Sequence, residues 1–273
     1  LGAAALGVDG AAWAAVIGSW LGFAFLAVAL WRGWGSAPRM RELGLSRKEF
    51  ARVVRFGLPN GINWFFEFAA FAFFVNVVVA GLGTIPLAAL MAVIQVNSAA
   101  FMPAFGLASA GAILVGQAIG ASRKEAVPGV VRLTFLVAAT WQSLVALAYL
   151  AAPELVLSAF ARDPASAAEL LAAGRRMLVL SAAWQLADAA ASVLTEALRA
   201  AGDTAFTMWA RVALAWALFA PGSFIAVRVL GAGDAAAVAA LVAYLFALAL
   251  ALFLRFRSGA WRRIRLVETA PAA

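Results

Sequence analysis

Two acidic residues, Glu67 and Asp188, lie inside long apolar stretches of the sequence, where an ionised side chain is least expected. A charged side chain at the centre of a bilayer costs at least about 2.5 kcal/mol, even on the most lenient insertion scale. Desolvation and mutual repulsion both favour a protonated carboxyl group or a bound cation. We therefore predict that this pair takes up and releases H⁺ or Na⁺ inside a helical membrane protein.

Each acid belongs to a polar stripe on an otherwise apolar helix. The stripes are Asn60, Asn63 and Glu67, and Gln185, Asp188, Ser192 and Thr195. These spacings place each set on one helix face, which must turn from lipid toward other helices or a water-filled cavity. We expect Asn63, Gln95 and Gln185 to be neighbours of the cation or to line a substrate cavity. Interhelical hydrogen bonding also explains any single amide.

The composition excludes most enzyme chemistry. Hydrophobic residues make up 66% of the 273 residues and charged residues 12%, whereas soluble domains are about 45–50% apolar and about 25% charged. Cysteine and histidine are absent, which removes thiol nucleophiles, the usual general base and most metal ligands. We expect no enzyme activity, no cofactor and no metal other than Na⁺. The net charge of +8 is better explained by membrane topology than by nucleic-acid binding.

Apolar runs of about 20 residues predict seven membrane-spanning helices. Their approximate ranges are 11–31, 57–81, 87–119, 130–152, 173–199, 206–228 and 235–254. The third run is longer than a bilayer requires and contains Pro103. It is either one kinked, tilted helix or an interfacial segment followed by a span.

Basic residues predict the orientation of these spans. Seventeen of the 21 Lys and Arg residues fall on one predicted side, and Arg211 is assigned to that side, at the connection after the fifth span. The positive-inside rule then places the N-terminus outside and the C-terminus in the cytoplasm. On this topology Glu67 and Asp188 lie roughly 16 and 21 Å from the ends of their spans. No Lys or Arg is expected at mid-depth to neutralise either acid.

Three groups of residues resemble motifs of the multidrug and toxic compound extrusion (MATE) family. They are the run from Phe56 to Glu67, the run Phe101–Gly106 leading to Gly116–Ala121, and Gln185–Asp188 leading to Leu198–Thr204. The resemblance covers nearly the whole chain in the same order and spacing. In two places, Glu196 and Ala200, the sequence departs from a glycine that is frequent in the family.

The resemblance implies twelve helices in two six-helix lobes around a central cavity. Residues 1–35 resemble the last helix of the N-terminal lobe, 36–55 a basic cytoplasmic linker, 56–256 the six-helix C-terminal lobe, and 257–273 a basic cytoplasmic tail. On this reading the chain is an all-α polytopic membrane protein in which five N-terminal helices are missing. The expected location is the bacterial inner membrane.

The resemblance also implies a function. Members of the family export cationic or amphipathic drugs by antiport against Na⁺ or H⁺, and the acids at the positions of Glu67 and Asp188 bind the cation. Trp184 occupies an aromatic position near the ion. The expected partners are drugs, the lipid bilayer and an N-terminal lobe, without nucleic acid. The choice between Na⁺ and H⁺ stays open, as does the role of Glu196, for which an ion pair with Arg199 is one explanation.

Two other functions remain in view. A lipid-linked oligosaccharide flippase of the same superfamily would use basic side chains in its cavity to hold pyrophosphate, and none is expected at mid-span. A seven-helix receptor fits the helix count and the outside N-terminus equally well.

Overall fold

The computed structural model describes residues 7–32, 47–161 and 165–264, and all regular secondary structure in these ranges is helical. The α-helices are α1 Gly7–Trp31, α2 Arg47–Phe73, α3 Thr84–Gly120, α4 Val127–Ala151, α5 Pro153–Leu157, α6 Ala167–Ala182, α7 Gln185–Ala200, α8 Thr204–Leu214, α9 Ala220–Phe224 and α10 Gly233–Arg257. The chain divides into two compact units, Leu1–Val53 and Val54–Ala273. The second unit contains both predicted acids.

Six helical stretches are long and apolar enough to cross a membrane, and a bent pair of helices makes a seventh. The stretches are Ala12–Ala29, Gly61–Leu82, Thr84–Gly120, Lys124–Ala151, Thr204–Val229 and Gly233–Arg257, and the bent pair is α6 with α7. The prediction of an all-α polytopic membrane protein with seven spans is therefore confirmed. The first of them, α1, exposes large apolar side chains such as Trp13, Trp20 and Phe25, as a helix surrounded by lipid would.

Short irregular helical segments extend several of these helices. After α2, the chain continues through a π-helical segment, Phe74–Val79, and a 3-10 turn, Ala80–Leu82. Similar π-helical segments, Ala215–Phe219 and Ile225–Val229, flank α9, so that α8 and α9 belong to one continuous span. Such insertions let a helix change the face that it presents without ending.

The third span is one helix of 37 residues with Pro103 inside it, roughly 55 Å long. The choice left open by the sequence is thus resolved in favour of a single helix. Near the proline, the indole nitrogen of Trp141 on α4 donates a hydrogen bond to the carbonyl oxygen of Ala100, at 2.8 Å. Further along, Gly111 lets α3 approach α4 closely, because a Cβ atom there would lie 2.6 Å from Thr134.

The fifth span is broken rather than straight. α6 and α7 meet at an angle of 52° across Ala183 and Trp184. α7 packs against α3, α4 and α10, and ten of its 16 residues are buried. The polar stripe of α7 therefore lies within a helical bundle, as required for polar groups in a membrane.

The predicted linker and tail are only partly described. The part of the linker from Arg47 onward is helical and belongs to α2, whereas residues 36–46 lie outside the described residues. At the other end, Arg257 closes α10 and is followed by a 3-10 turn, Ala260–Arg263. Trp261 of this turn is buried against Phe256, with ring centroids 5.5 Å apart. Residues 265–273 lie outside the described residues.

Candidate functional site

Glu67 forms an ion pair with Arg211, which contradicts the prediction that no basic residue neutralises either acid. Arg211 Nη1 is 2.7 Å from Glu67 Oε1, and both side chains are largely shielded from solvent. Arg211 lies seven residues after the start of α8 at Thr204, about 10 Å along the span. The error arose because Arg211 was assigned to the connection before the sixth span, although it falls inside the predicted range 206–228.

Arg211 joins the two polar stripes that the sequence predicts. Asn63 Nδ2, one turn before Glu67 on α2, donates a hydrogen bond to Glu67 Oε2 at 3.3 Å. On the other side, Arg211 Nη2 donates to Thr195 Oγ1 on α7, also at 3.3 Å. Asn63 and Thr195 are both almost fully buried. One guanidinium thus connects the polar faces of α2 and α7. The side chain of Asn60 is not among those described.

Asp188 lies in the first turn of α7, directly after the break in the fifth span. Its backbone N–H donates to the carbonyl oxygen of Trp184 at 2.8 Å. The carboxylate is close enough to Arg211 and Glu67 to interact electrostatically with both. The two acids therefore share one neighbourhood.

Tyr244 on α10 completes this neighbourhood and was not anticipated from the sequence. Its side chain is buried, and its hydroxyl group lies within hydrogen-bonding reach of Arg211. It lies within electrostatic reach of Arg211, Glu67 and Asp188. Asn63 Oδ1 and Arg211 Nε are buried without a partner among the described residues. Six residues from α2, α7, α8 and α10 together form a polar cluster: Asn63, Glu67, Asp188, Thr195, Arg211 and Tyr244.

The break between α6 and α7 is held by a second group of polar side chains. Gln185 Nε2 donates to Asn97 Oδ1 on α3 at 2.8 Å, and Asn97 Nδ2 donates to Ser181 Oγ at 3.3 Å. Gln185 and Ser181 are buried on either side of the break. Trp184, between them, is also buried, and its backbone N–H donates to the carbonyl oxygen of Ser181. These bonds fix the geometry that presents Asp188.

Gln95, predicted as a neighbour of the cation site or a cavity residue, is exposed on α3. The residue of α3 that bonds to Gln185 is Asn97, two positions later. Asn97 continues the buried face of α3, because it follows Leu90 and Val93 at positions i+7 and i+4. That periodicity could have identified it. A role for Gln95 in a substrate cavity stays a prediction.

Glu196 forms an ion pair with Arg199, as one reading of the sequence proposed. The distance between Arg199 Nη1 and Glu196 Oε1 is 3.0 Å. Arg199 is itself within electrostatic reach of Arg211 and Glu67. This pair therefore borders the polar cluster at one side and carries no net charge.

The polar cluster has the features of a site for small cations. It contains two carboxylates on different helices and a buried oxygen acceptor, Asn63 Oδ1, that lacks a partner among the described residues. Buried polar groups normally have hydrogen-bond partners, so this atom has unused capacity to bind a ligand. Carboxylate and amide oxygens are hard ligands that suit protons and alkali cations better than soft metals.

Comparisons with known proteins show the family to which the chain belongs. A family model described as MatE matches residues 65–225. A probable multidrug resistance protein NorM from Caulobacter vibrioides is 31% identical over 284 residues, covering 99% of this chain and 57% of the relative. A second protein of that description, from Thermotoga maritima, is 26% identical and covers 94% of this chain and 54% of the relative. The chain thus spans somewhat more than half the length of these relatives.

A solved structure has a similar fold. A MATE protein crystallised in a bent conformation superposes with a TM-score of 0.67 at 20% identity, over 81% of this chain and 48% of that chain. The fold and the matched residues confirm the resemblance found in the motifs, and the chain belongs to the MatE family.

Proposed function

We propose that this chain is part of a secondary active exporter of cationic or amphipathic drugs, driven by antiport of Na⁺ or H⁺. The observation that carries the proposal is that Glu67, ion-paired with Arg211, and Asp188 lie within electrostatic reach of each other in a chain of the MatE family. Relatives described as multidrug resistance proteins support the substrate class. Glu67 and Asp188 are the coupling-cation site, with Asn63, Trp184 and Gln185 as its neighbours.

Coupling requires only that each ligand prefers one of two conformations. Cation binding at the acids stabilises one access state, and drug binding favours the state from which the cation has left. Transporters often place such sites at broken helices near the middle of the membrane. The break at Ala183 and Trp184 has this character, because it directly precedes Gln185 and ends four residues before Asp188. No covalent step is needed, so we infer that the chain is a transporter rather than an enzyme.

The same proposal includes the location and the orientation. We propose the bacterial inner membrane, with the N-terminus outside and the C-terminus in the cytoplasm, because most basic residues then lie inside. The drug path lies between this lobe and a second lobe, as the family architecture implies. Large apolar side chains exposed on α4 and α10, such as Leu147 and Leu250, are suited to lipid contact.

A lipid-linked oligosaccharide flippase is supported less well than an exporter. Arg211 is a basic residue inside a candidate span and is ion-paired with Glu67, so a basic side chain does lie within the bundle. Its guanidinium is paired with Glu67 and within electrostatic reach of Asp188, and two carboxylates beside one guanidinium repel an anionic pyrophosphate. This charge balance favours the exporter. The seven-helix receptor is set aside because the chain belongs to the MatE family.

Everted membrane vesicles carrying the full-length protein provide the test, with ethidium as a fluorescent cationic substrate. An imposed Na⁺ or H⁺ gradient should drive ethidium transport, and Glu67→Gln or Asp188→Asn should abolish it. Glu154→Gln is the matched control, because Glu154 also pairs with an arginine, Arg175 at 3.2 Å, but is well exposed. Unchanged efflux and ion dependence in both acid variants would show that the assignment is wrong.

A further inference from the structure

The guanidinium of Arg211 lies where a cation bound to Glu67 would lie. Arg211 Nη1 contacts Glu67 Oε1 at 2.7 Å, and Asn63 contacts the other carboxylate oxygen at 3.3 Å. An incoming cation must therefore displace the guanidinium from Glu67 or bind elsewhere. Charge-assisted arginine–carboxylate bonds are among the stronger polar contacts in proteins, so this competition affects cation binding directly.

The cluster offers Arg211 a second set of partners. Asp188 is within electrostatic reach of Arg211, and the Tyr244 hydroxyl group lies within hydrogen-bonding reach of the same guanidinium. Arg211 Nε lacks a partner among the described residues, while Nη2 is bonded to Thr195 on α7. α7 is the helix that carries Asp188. The arginine is thus anchored between two acids but holds only one of them.

The charges around Arg211 leave a single negative charge. The ionisable groups that face it from the described residues are Glu67 on α2, Asp188, Glu196 and Arg199 on α7, and Tyr244 on α10. Glu196 and Arg199 pair with each other at 3.0 Å and cancel. Tyrosine is neutral near pH 7. Two carboxylates and one guanidinium remain, with a net charge of −1.

We propose that Arg211 is a tethered counter-cation, which limits the acid pair to one monovalent cation at a time. When Glu67 takes up the coupling ion, the guanidinium moves to Asp188 and Tyr244; when the ion leaves, it returns to Glu67. A singly charged cationic drug can take the place of the ion by the same exchange. This inference rests on the proposed function, because it concerns the same acids.

The proposal predicts how charge changes alter cation binding to the purified full-length protein. Thermal unfolding is followed by tryptophan fluorescence while Na⁺ is titrated against choline, and while pH is varied. A cation that binds only the folded state raises the midpoint of unfolding. The wild type should respond to at least one of the two cations. Glu67→Gln should not respond, because Arg211 then neutralises Asp188.

The decisive variant combines Glu67→Gln with Arg211→Met. This pair of changes removes both partners of the Glu67–Arg211 ion pair together, so neither partner is left without the other, and it leaves a net charge of −1 at Asp188. The cation response should return, with a half-saturating concentration within about tenfold of wild type. If the double variant is as unresponsive as Glu67→Gln, both carboxylates are required and Arg211 is only a structural partner.

Two single substitutions complete the test. Arg211→Met leaves two unbalanced carboxylates and should lower the half-saturating cation concentration at least about tenfold; an unchanged value would overturn the proposal. Arg211→Lys keeps the charge and should retain the wild-type response, which separates charge from loss of folding. Arg175→Met is the matched control, since Arg175 pairs with Glu154 on the exposed surface. Its response should equal that of the wild type.

The same proteins distinguish this proposal from the function on which it rests. Absence of gradient-driven ethidium transport by the wild type would contradict the proposed export function alone. The pattern of cation responses among the four variants would still decide the role of Arg211. A wild type that responds to neither Na⁺ nor pH would overturn the counter-cation proposal even if ethidium is transported.

Discussion

Two arginine–carboxylate pairs in this chain have similar lengths but different surroundings. Arg211 is 2.7 Å from Glu67, and Arg255 at the end of α10 is 2.8 Å from Asp203. The Asp203 pair is bidentate, with a second bond of 3.2 Å, and its guanidinium lies 4.7 Å from the centre of the Phe206 ring. At Arg211, by contrast, Nε has no partner among the described residues and a second acid is nearby.

This difference indicates two roles for the same chemistry. The Asp203–Arg255 pair uses both carboxylate oxygens and joins the loop before α8 to α10, so it stabilises the fold. The Glu67–Arg211 pair lies beside a competing acid and an unbonded acceptor, so it can exchange partners. The length of an ion pair alone does not distinguish a structural pair from a functional one. Nearby polar groups without hydrogen-bond partners and nearby competing charges are more informative.

The largest effect is expected from Asp188→Asn, which keeps the shape of the side chain and removes its charge. Gradient-driven ethidium transport should fall about a hundredfold, which is roughly 2.7 kcal/mol in rate terms. The midpoint of thermal unfolding should not decrease, because no ion pair is broken. Initial transport rates in vesicles and tryptophan-detected melting of the same protein check both parts. If Asp188→Asn lowers the melting midpoint and leaves transport normal, Asp188 has a structural role and no role in transport.

The next effect is expected from Asp203→Asn, the same type of substitution made within the Asp203–Arg255 pair. Because Asp203 is buried and holds Arg255 through two bonds, the loss should be about 2 kcal/mol of stability. Transport per folded molecule should stay within about twofold of wild type. Thermal melting and vesicle transport normalised to folded protein give the two numbers. A hundredfold loss of transport at unchanged stability would place Asp203 in the transport machinery instead.

The sequence was sufficient to predict the seven spans and the polar helix face that carries Glu67, since both depend on local properties. Apolar runs set the seven spans, and helical spacing placed Asn63 on the face of Glu67, to which it is bonded. The charge count assigns Arg211 to a cytoplasmic connection, because such a count does not consider where each helix begins and ends. The partner of Arg211 lies 144 positions away in sequence, and such a contact depends on how helices pack.

The choice between Gln95 and Asn97 shows a second limit. Both are amides on α3, and residue type does not tell them apart. The buried face of α3 runs through Leu90 and Val93, and only Asn97 continues it toward the break in the fifth span. The 52° bend itself was not predicted, because Ala183 and Trp184 are compatible with a continuous helix.

A third, smaller effect compares these two amides. Asn97→Ala removes the bonds to Gln185 and Ser181 that hold the break beside the polar cluster. We expect a loss of about 1 kcal/mol of stability, together with a reduced transport rate, because Asp188 is presented by this break. Gln95→Ala is the matched control and should leave the melting midpoint unchanged, since Gln95 is exposed. Equal losses of stability in both variants would contradict the role given to Asn97.

The smallest effect is expected where an ion pair has neither burial nor competing partners. Glu154 and Arg175 are 3.2 Å apart, yet about 60% of each side chain is exposed. Hydration of the two separate charges is nearly as favourable as their attraction to each other. Glu154→Gln should therefore change the free energy of unfolding by less than about 0.5 kcal/mol. Transport should not change. Melting at low and high salt provides the measurement: a salt-sensitive loss larger than that would mean that exposed pairs also stabilise this lobe. The difference in stability between this pair and the pairs of Glu67 and Asp203 would then depend on hydrogen-bond geometry rather than on burial.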